Sequence, residues 1–341
     1  MDIFFYEAQH RVDEEDLLRK IDTLLDWFRF SKLLERGLER SGLGPTGYDP
    51  LLLFKCLLLG QWHCLSDPKL EKALKVRLDF MLFCGLDLHS PVPDHSTHCR
   101  FRNGLVKGGV YDDLLAEVCS QLESHGLKVK AAEAAIIDAT LIRSAARPNQ
   151  FMESESIAED RLEPIEAEYT SMHYSADAEA RWIKKGSKSL LGYKGFGRCD
   201  EEGFIEKVHV TPANKAECPE FKTMVSGTKA KRVMADKASA SRANRTFLKE
   251  QGYRDGIMHK AARGRPLTAS QKKFNRLISK TRFRIEQCFG TQKRLFGLHR
   301  ARYFGVAKTH AQIALAAMGQ NLLKAANKIS LQTQKIAIAS F

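Results

Sequence analysis

The feature that most limits what this chain can fold into is a change of hydrophobic period at Gly126. Before it, apolar residues recur at helical spacing. Leu17, Ile21, Leu24 and Phe28 form one row, with Leu18 and Leu25 beside them. Asp49-Pro50 places a capping acid and a first-turn proline ahead of the apolar run 51–59. Ser66-Asp67-Pro68 repeats that start before Leu70, Leu74, Leu78 and Met81. A further start lies at 94–97, and 111–125 reads as a last helix stopped by Gly126. Residues 1–128 are therefore expected to form an all-helical N-terminal domain.

After Gly126 the apolar runs become short. Residues 134–138 (AAIID) and 231–236 (KRVMAD) each read as a strand ending on an acid. Residues 193–199 and 205–210 predict paired strands around a turn at 200–203, and 256–259 a last short strand. Helices are expected over 239–250 and 270–293. This mixture predicts an α/β domain over 129–310, carrying a basic insertion at about 260–284. An Ala- and Leu-rich helical tail, 311–341, is expected to pack back on it.

The longest apolar stretch, 51–60, carries Lys55 and is too short to span a membrane, and the N-terminus lacks a signal-peptide pattern. Eight cysteines occur without a C-x-x-C pair, so reduced thiols and a soluble, cytoplasmic protein are expected. The formal net charge of +13 points to a polyanionic partner. Its distribution says more. From His259 to Lys308 there are fourteen Lys or Arg residues and one acid, Glu286. A solvated face mixes signs, whereas a lone glutamate among cations suits a metal ligand beside phosphates, with an intrahelical ion pair as the plain alternative.

Asp138, Asp236 and Glu286 are the candidate catalytic and metal-ligating residues. Carboxyl ends of strands are where ligands gather in open α/β sheets, and hard carboxylates suit Mg²⁺ or Mn²⁺. Two such ions about 4 Å apart can activate an attacking oxygen and stabilise a leaving one at phosphorus. An acid ending a strand is as readily a turn former or helix cap.

These residues sit in blocks that resemble the DDE transposases of bacterial insertion sequences, in the branch called insertion sequence family 5. Residues 65–105 resemble its helical leader, with Pro-Asp-x-Ser-Thr and Phe-Arg elements. IIDATLIRSAARPN, VMADKASASRANR and NRLISKTRFRIEQCFGTQKRLFGLHRARYFG resemble the blocks around its three acids. GYKGFG and the TPAN at 211–214 match the strands between them. The wider group carries Tyr-x2-Arg-x3-Glu-x6-Lys on the third block. Arg282, Glu286 and Lys293 keep that spacing, on one helical face, while Ser279 stands at the tyrosine position.

The resemblance implies an RNase H-like mixed sheet flanked by helices, with Asp138 on the first strand, Asp236 on the fourth and Glu286 on a later helix. It implies an enzyme that binds the terminal inverted repeats of its insertion sequence and transfers cut 3′ ends to target DNA with two Mg²⁺ ions. It also implies a homodimer or larger assembly at the nucleoid. A catalytically silent DNA-binding relative and an RNase H-like nuclease are the alternatives.

Further DNA contacts are expected from Arg282 and Lys293, and from Arg263, Arg265, Lys272 and Lys273 on the basic stretch, as backbone anchors. Arg294, Arg300 and Arg302 would extend it. Trp182, expected in a loop, could stack on a base, and Lys194 in GYKGF could touch phosphate. Arg100 and Arg102, on the helix after Asp94, could enter a groove.

Overall fold

In a computed structural model, residues 3–38, 47–130, 132–148, 151–155, 169–173 and 175–339 are described. Asn149 of the first acid block and the last two residues of the expected tail lie outside them. The leader comprises α1 (Ile3–Arg11), α2 (Leu17–Leu24), α3 (Trp27–Gly37), α4 (Pro50–Trp62), α5 (Asp67–Leu74), α6 (Leu78–Cys84), α7 (His95–Gly108) and α8 (Tyr111–Ser124). Then follow β1 (Ala134–Arg143), β2 (Phe151–Glu155), β3 (Tyr169–His173), β4 (Arg181–Lys185), β5 (Lys188–Cys199), β6 (Ile205–Pro212), α9 (Glu217–Val225), β7 (Arg232–Ala235), α10 (Arg242–Glu250), β8 (Arg254–Ile257), α11 (Ala269–Leu295) and α12 (Val306–Ala339).

All three start signals open helices, but only Asp49 and Asp94 cap through their side chains, since Ser66 ahead of α5 makes no side-chain cap bond. Asp49 accepts from Leu51 N at 3.0 Å with Pro50 opening α4, and Asp94 accepts from Thr97 N at 2.7 Å to start α7. The row Leu17–Phe28 is not one helix, because Asp26 ends it by capping α3 through Phe28 N. The row from Leu70 to Met81 likewise divides between α5 and α6.

The main sheet has six strands in the order β4-β5-β1-β7-β8, with β6 paired to β5. β5 runs antiparallel to β1 and β6, while β1, β7 and β8 run parallel. An antiparallel half feeding a parallel half, with helices on both faces, is the RNase H-like arrangement. Two expectations change here, and one element was not foreseen. Asp138 lies in the middle of a ten-residue strand, not at its end, because β5 continues to pair with β1 as far as Arg143. Trp182 sits on strand β4, held by pairing with Leu191, and not in a loop. The β2–β3 hairpin had no counterpart in the apolar pattern.

The tail is longer than its apolar run and is buried against both halves. Leu315, Met318 and Leu322 of α12 join one apolar cluster with Leu57 and Phe54 of α4, Leu115 and Leu122 of α8, and Val208 and Val210 of β6. Each such side chain contributes about 1.5–3 kcal/mol when fully buried. Polar ties reinforce the join. Gln61 donates to Phe296 O at 2.8 Å, and Arg302 donates to Gly60 O at 3.2 Å and Leu65 O at 3.0 Å.

Candidate active site

Asp138 and Asp236 stand on neighbouring parallel strands. The β1–β7 register pairs Ala134 with Arg232 and Ile136 with Met234. Continuing that offset of 98 residues brings position 138 opposite 236, just past the end of β7. Parallel neighbours are about 4.8 Å apart, so the two aspartates lie near one another where β7 ends and β1 continues. Asp236 also caps a 3₁₀ turn, accepting from Ala238 N at 2.8 Å through Oδ1. The plain reading of a turn-forming acid is thus realised, and it leaves Oδ2 available.

Glu286 arrives from α11, and the sheet is shaped to receive that helix. Gly197 pairs with Asp138 across β5 and β1. A Cβ at Gly197 would lie 3.1 Å from the Phe289 ring and 3.4 Å from Ile285, so glycine lets α11 lie close over Asp138. Thr268 and Gln271 form a reciprocal cap at the start of α11. Asn275 then anchors the helix to the end of β8, accepting from His259 N at 2.7 Å and donating to His259 O at 3.0 Å.

Arg282 fills the space between the acids. Its guanidinium donates to Asp138 Oδ2 at 2.8 Å and lies 3.7 Å from Glu286 Oε1. Its side chain is 11% exposed, against 61% for Glu286. Burial raises the Asp138 pKa and Asp236 raises it further, while Arg282 and the Ala139 N–H hold it down.

Among the described residues, no three His, Cys, Asp or Glu side chains converge closely enough to hold a metal ion as they stand. The donor types nevertheless suit a hard divalent cation, and the guanidinium that bonds Asp138 also lies within 3.7 Å of Glu286. Asp138, Asp236 and Glu286 would be the ligands, with Arg282 displaced from between them.

Beside this locus runs a basic cleft of about 590 Å³, lined by Arg143, Lys184, Lys185, Lys194, Lys293 and His299. Burial lowers the Lys293 pKa, and the facing Lys185 lowers it again. Two cations held that close attract an anion. An adjoining cleft of about 600 Å³ shares Arg143, Lys185 and His299 and adds Trp182, Lys188 and Arg147. Trp182 is 40% exposed there.

The expected DNA contacts divide. Arg263 and Arg265 are exposed on the turn before α11, and Lys272 and Lys273 are exposed on its first turns. Arg100 is exposed on α7, within 3.4 Å of Ser96 and Thr97 hydroxyls. Three others are turned inward. Arg102, 4% exposed, grips both oxygens of Asp67 at 3.0 and 2.7 Å and stacks on Tyr303 at 4.0 Å. It is a strut, not a groove contact, because a buried guanidinium needs its carboxylate. Arg282 serves the acids instead of phosphate. Lys194 is 6% exposed and gives its ammonium to Lys215 O at 2.7 Å and Glu217 at 3.4 Å. Arg300 and Arg302 likewise serve backbone carbonyls.

Sequence reasoning missed Gly197 and Asn275, whose roles depend on what packs across from them. It also passed over Arg143, Arg147 and His299. The Lys184-Lys185 and Lys188 cluster was the one visible signal of that cleft.

An RNase H-like sheet presenting two aspartates from adjacent strands and a glutamate from a following helix defines the DDE class of DNA-cutting and DNA-joining enzymes. A transposase DDE domain family matches residues 130–322, and a transposase domain family (DUF772) matches residues 6–104. Over 232 residues the chain is 46% identical to the transposase for insertion sequence element IS1106 of Neisseria meningitidis serogroup B, covering 68% of this chain and 78% of that one. No solved structure matches. The chain belongs to the DDE transposases of insertion sequences.

Proposed function

We propose that this transposase binds the terminal inverted repeats of its own element, cuts there, and transfers the 3′ ends to target DNA, with Asp138, Asp236 and Glu286 holding two Mg²⁺ or Mn²⁺ ions. The observation that carries the reading is the single guanidinium of Arg282 held between Asp138 and Glu286, with Asp236 at the matching position of the next strand. Divalent ions bound there would supply Lewis-acid activation of the attacking oxygen and charge neutralisation at phosphorus. The chain's own residues do the positioning. Lys293 and Lys185 face the phosphates beside β1, while Arg263, Arg265, Lys272 and Lys273 hold the backbone further along. Trp182 offers a face for an unstacked base.

No helix of the described residues is long and apolar enough to cross a membrane. The protein works in the cytoplasm at the nucleoid, as a homodimer or larger assembly on paired ends. The family-5 branch rests on the motif resemblance.

The test is a labelled terminal-repeat duplex incubated with the protein, Mg²⁺ and a target plasmid. The expected result is cleavage at the repeat end and covalent transfer of label to the plasmid. Cleavage without transfer would favour a nuclease, and binding without cleavage a silent relative.

A further inference from the structure

The helix that brings Glu286 to the acids has a second polar face. At about 100° per residue, Arg282, Glu286 and Lys293 fall within roughly 40° of one another. Arg284, Gln287, Thr291 and Arg294 lie roughly 80–180° around the helix from them. There they meet α12 across a groove of about 670 Å³, whose far wall carries Lys324 and Lys328. The volume is that of a small-ligand site.

Arg284, Arg294, Lys324 and Lys328 line this groove, but Lys328 is already held by Glu202 at 2.6 Å and by Leu127 O at 2.9 Å, which leaves three cations to face a ligand. Arg284 and Arg294 are exposed, and Lys324 lies over the Phe204 ring at 4.9 Å. Such a set attracts phosphate. A phosphate alone does not account for Gln320, however. Its side chain lines the groove, the residue is 8% exposed, and its Oε1 has no hydrogen-bond partner. A buried acceptor left bare costs about 1–3 kcal/mol, and what it requires is a donor. Leu323 supplies an apolar wall beside it. Gly290, on the same wall, has nothing within 4 Å of where a Cβ would stand, so the groove is open there.

We propose that this groove binds a nucleotide unit, its phosphate among Arg284, Arg294 and Lys324 and its base donating to Gln320 Oε1. The unit comes either from a single nucleic-acid strand crossing α11 behind the catalytic face or from a free nucleotide. Both present the same chemistry. The site is separate from the acids and does not depend on the cutting and joining reaction.

Binding of two probes, dAMP and a fluorescein-labelled deoxyadenylate dodecamer, to the full chain without divalent ion tests it. Titration calorimetry reads the first and anisotropy the second. Arg284→Glu with Arg294→Glu changes two exposed side chains and should weaken binding at least tenfold. Lys69→Glu with Lys72→Glu on exposed α5 positions makes the same charge change elsewhere and should not. Gln320→Leu, with the cations intact, should weaken dAMP or dodecamer binding several-fold. If dAMP binds and responds, the ligand can be free. If only the dodecamer does, it is a strand. Wild-type binding by the groove variants, equal loss in the α5 variant, or no binding of either probe overturns the proposal. Terminal-repeat cleavage with Mg²⁺ is read separately, so a failure here and a failure of the transposition reading are distinct results.

Discussion

Arg282 Nη2 donates to Asp138 Oδ2 at 2.8 Å across 144 residues of sequence, joining the middle of β1 to the middle of α11. This contact aligns the helix that carries Glu286 with the strand that carries the first acid. It also places a fixed positive charge 2.8 Å from Asp138 and 3.7 Å from Glu286. Arg282 is thus a brace for the site and the positive charge beside its first acid.

Removing that charge should destabilise the site. Arg282→Ala should lose about 1.5–3 kcal/mol of stability, the range for a hydrogen bond to a charged group. Mg²⁺ should then raise the melting temperature more in the variant than in the wild type. Thermal melts with and without Mg²⁺ measure this, and an equal Mg²⁺ response would separate Arg282 from the metal locus.

Glu286→Gln keeps the shape of the side chain and removes its charge. Cleavage of terminal-repeat DNA should fall below detection, while binding measured by gel shift stays within a few-fold. Nicking at the wild-type rate would remove Glu286 from the catalytic set.

Lys272 and Lys273 open α11 on its exposed side. Changing both to Ala should weaken DNA binding and flatten the plot of log K against log salt by about 0.9 for each phosphate no longer neutralised. An unchanged slope would mean that this turn faces only solvent.

Arg102 should behave as a structural residue. Its ion pair with Asp67 is inside the protein, so Arg102→Ala should cost about 3–5 kcal/mol in urea unfolding. The salt slope of DNA binding by the folded fraction should not change. A changed slope with unchanged stability would restore Arg102 as a groove contact.

Asp200 makes stability depend on pH. It is fully buried beside Lys128, and burial pushes its pKa from 3.8 up to about 6. A carboxyl with a raised folded pKa contributes stability that is complete below about pH 4 and lost as pH rises through about 6. Asp200→Asn should therefore gain on the wild type by about 2–3 kcal/mol between pH 4 and pH 8. Urea unfolding across that range checks it, and parallel curves would mean that Asp200 titrates normally.

Much of the fold was legible in the chain. Helix starts at Asp49 and Asp94 are local events, because a capping side chain bonds amides two or three residues away. The change of period after Gly126 marked the helical leader and the α/β part, since burial on one face imposes its own spacing on a helix or a strand. Asp138, Asp236 and Glu286 stood out through motif spacing and through the isolation of Glu286 among cations. What the sequence determined by itself was this local and periodic information. The tertiary structure alone decided which cations face solvent: Arg102 and Arg282 turn inward because Asp67 and Asp138, distant in sequence, arrive beside them. It also decided that Gly197 must lack a side chain, since the helix it admits lies about ninety residues further on. Burial and charge pairing are properties of what packs nearby, and no run of residues carries its own neighbours.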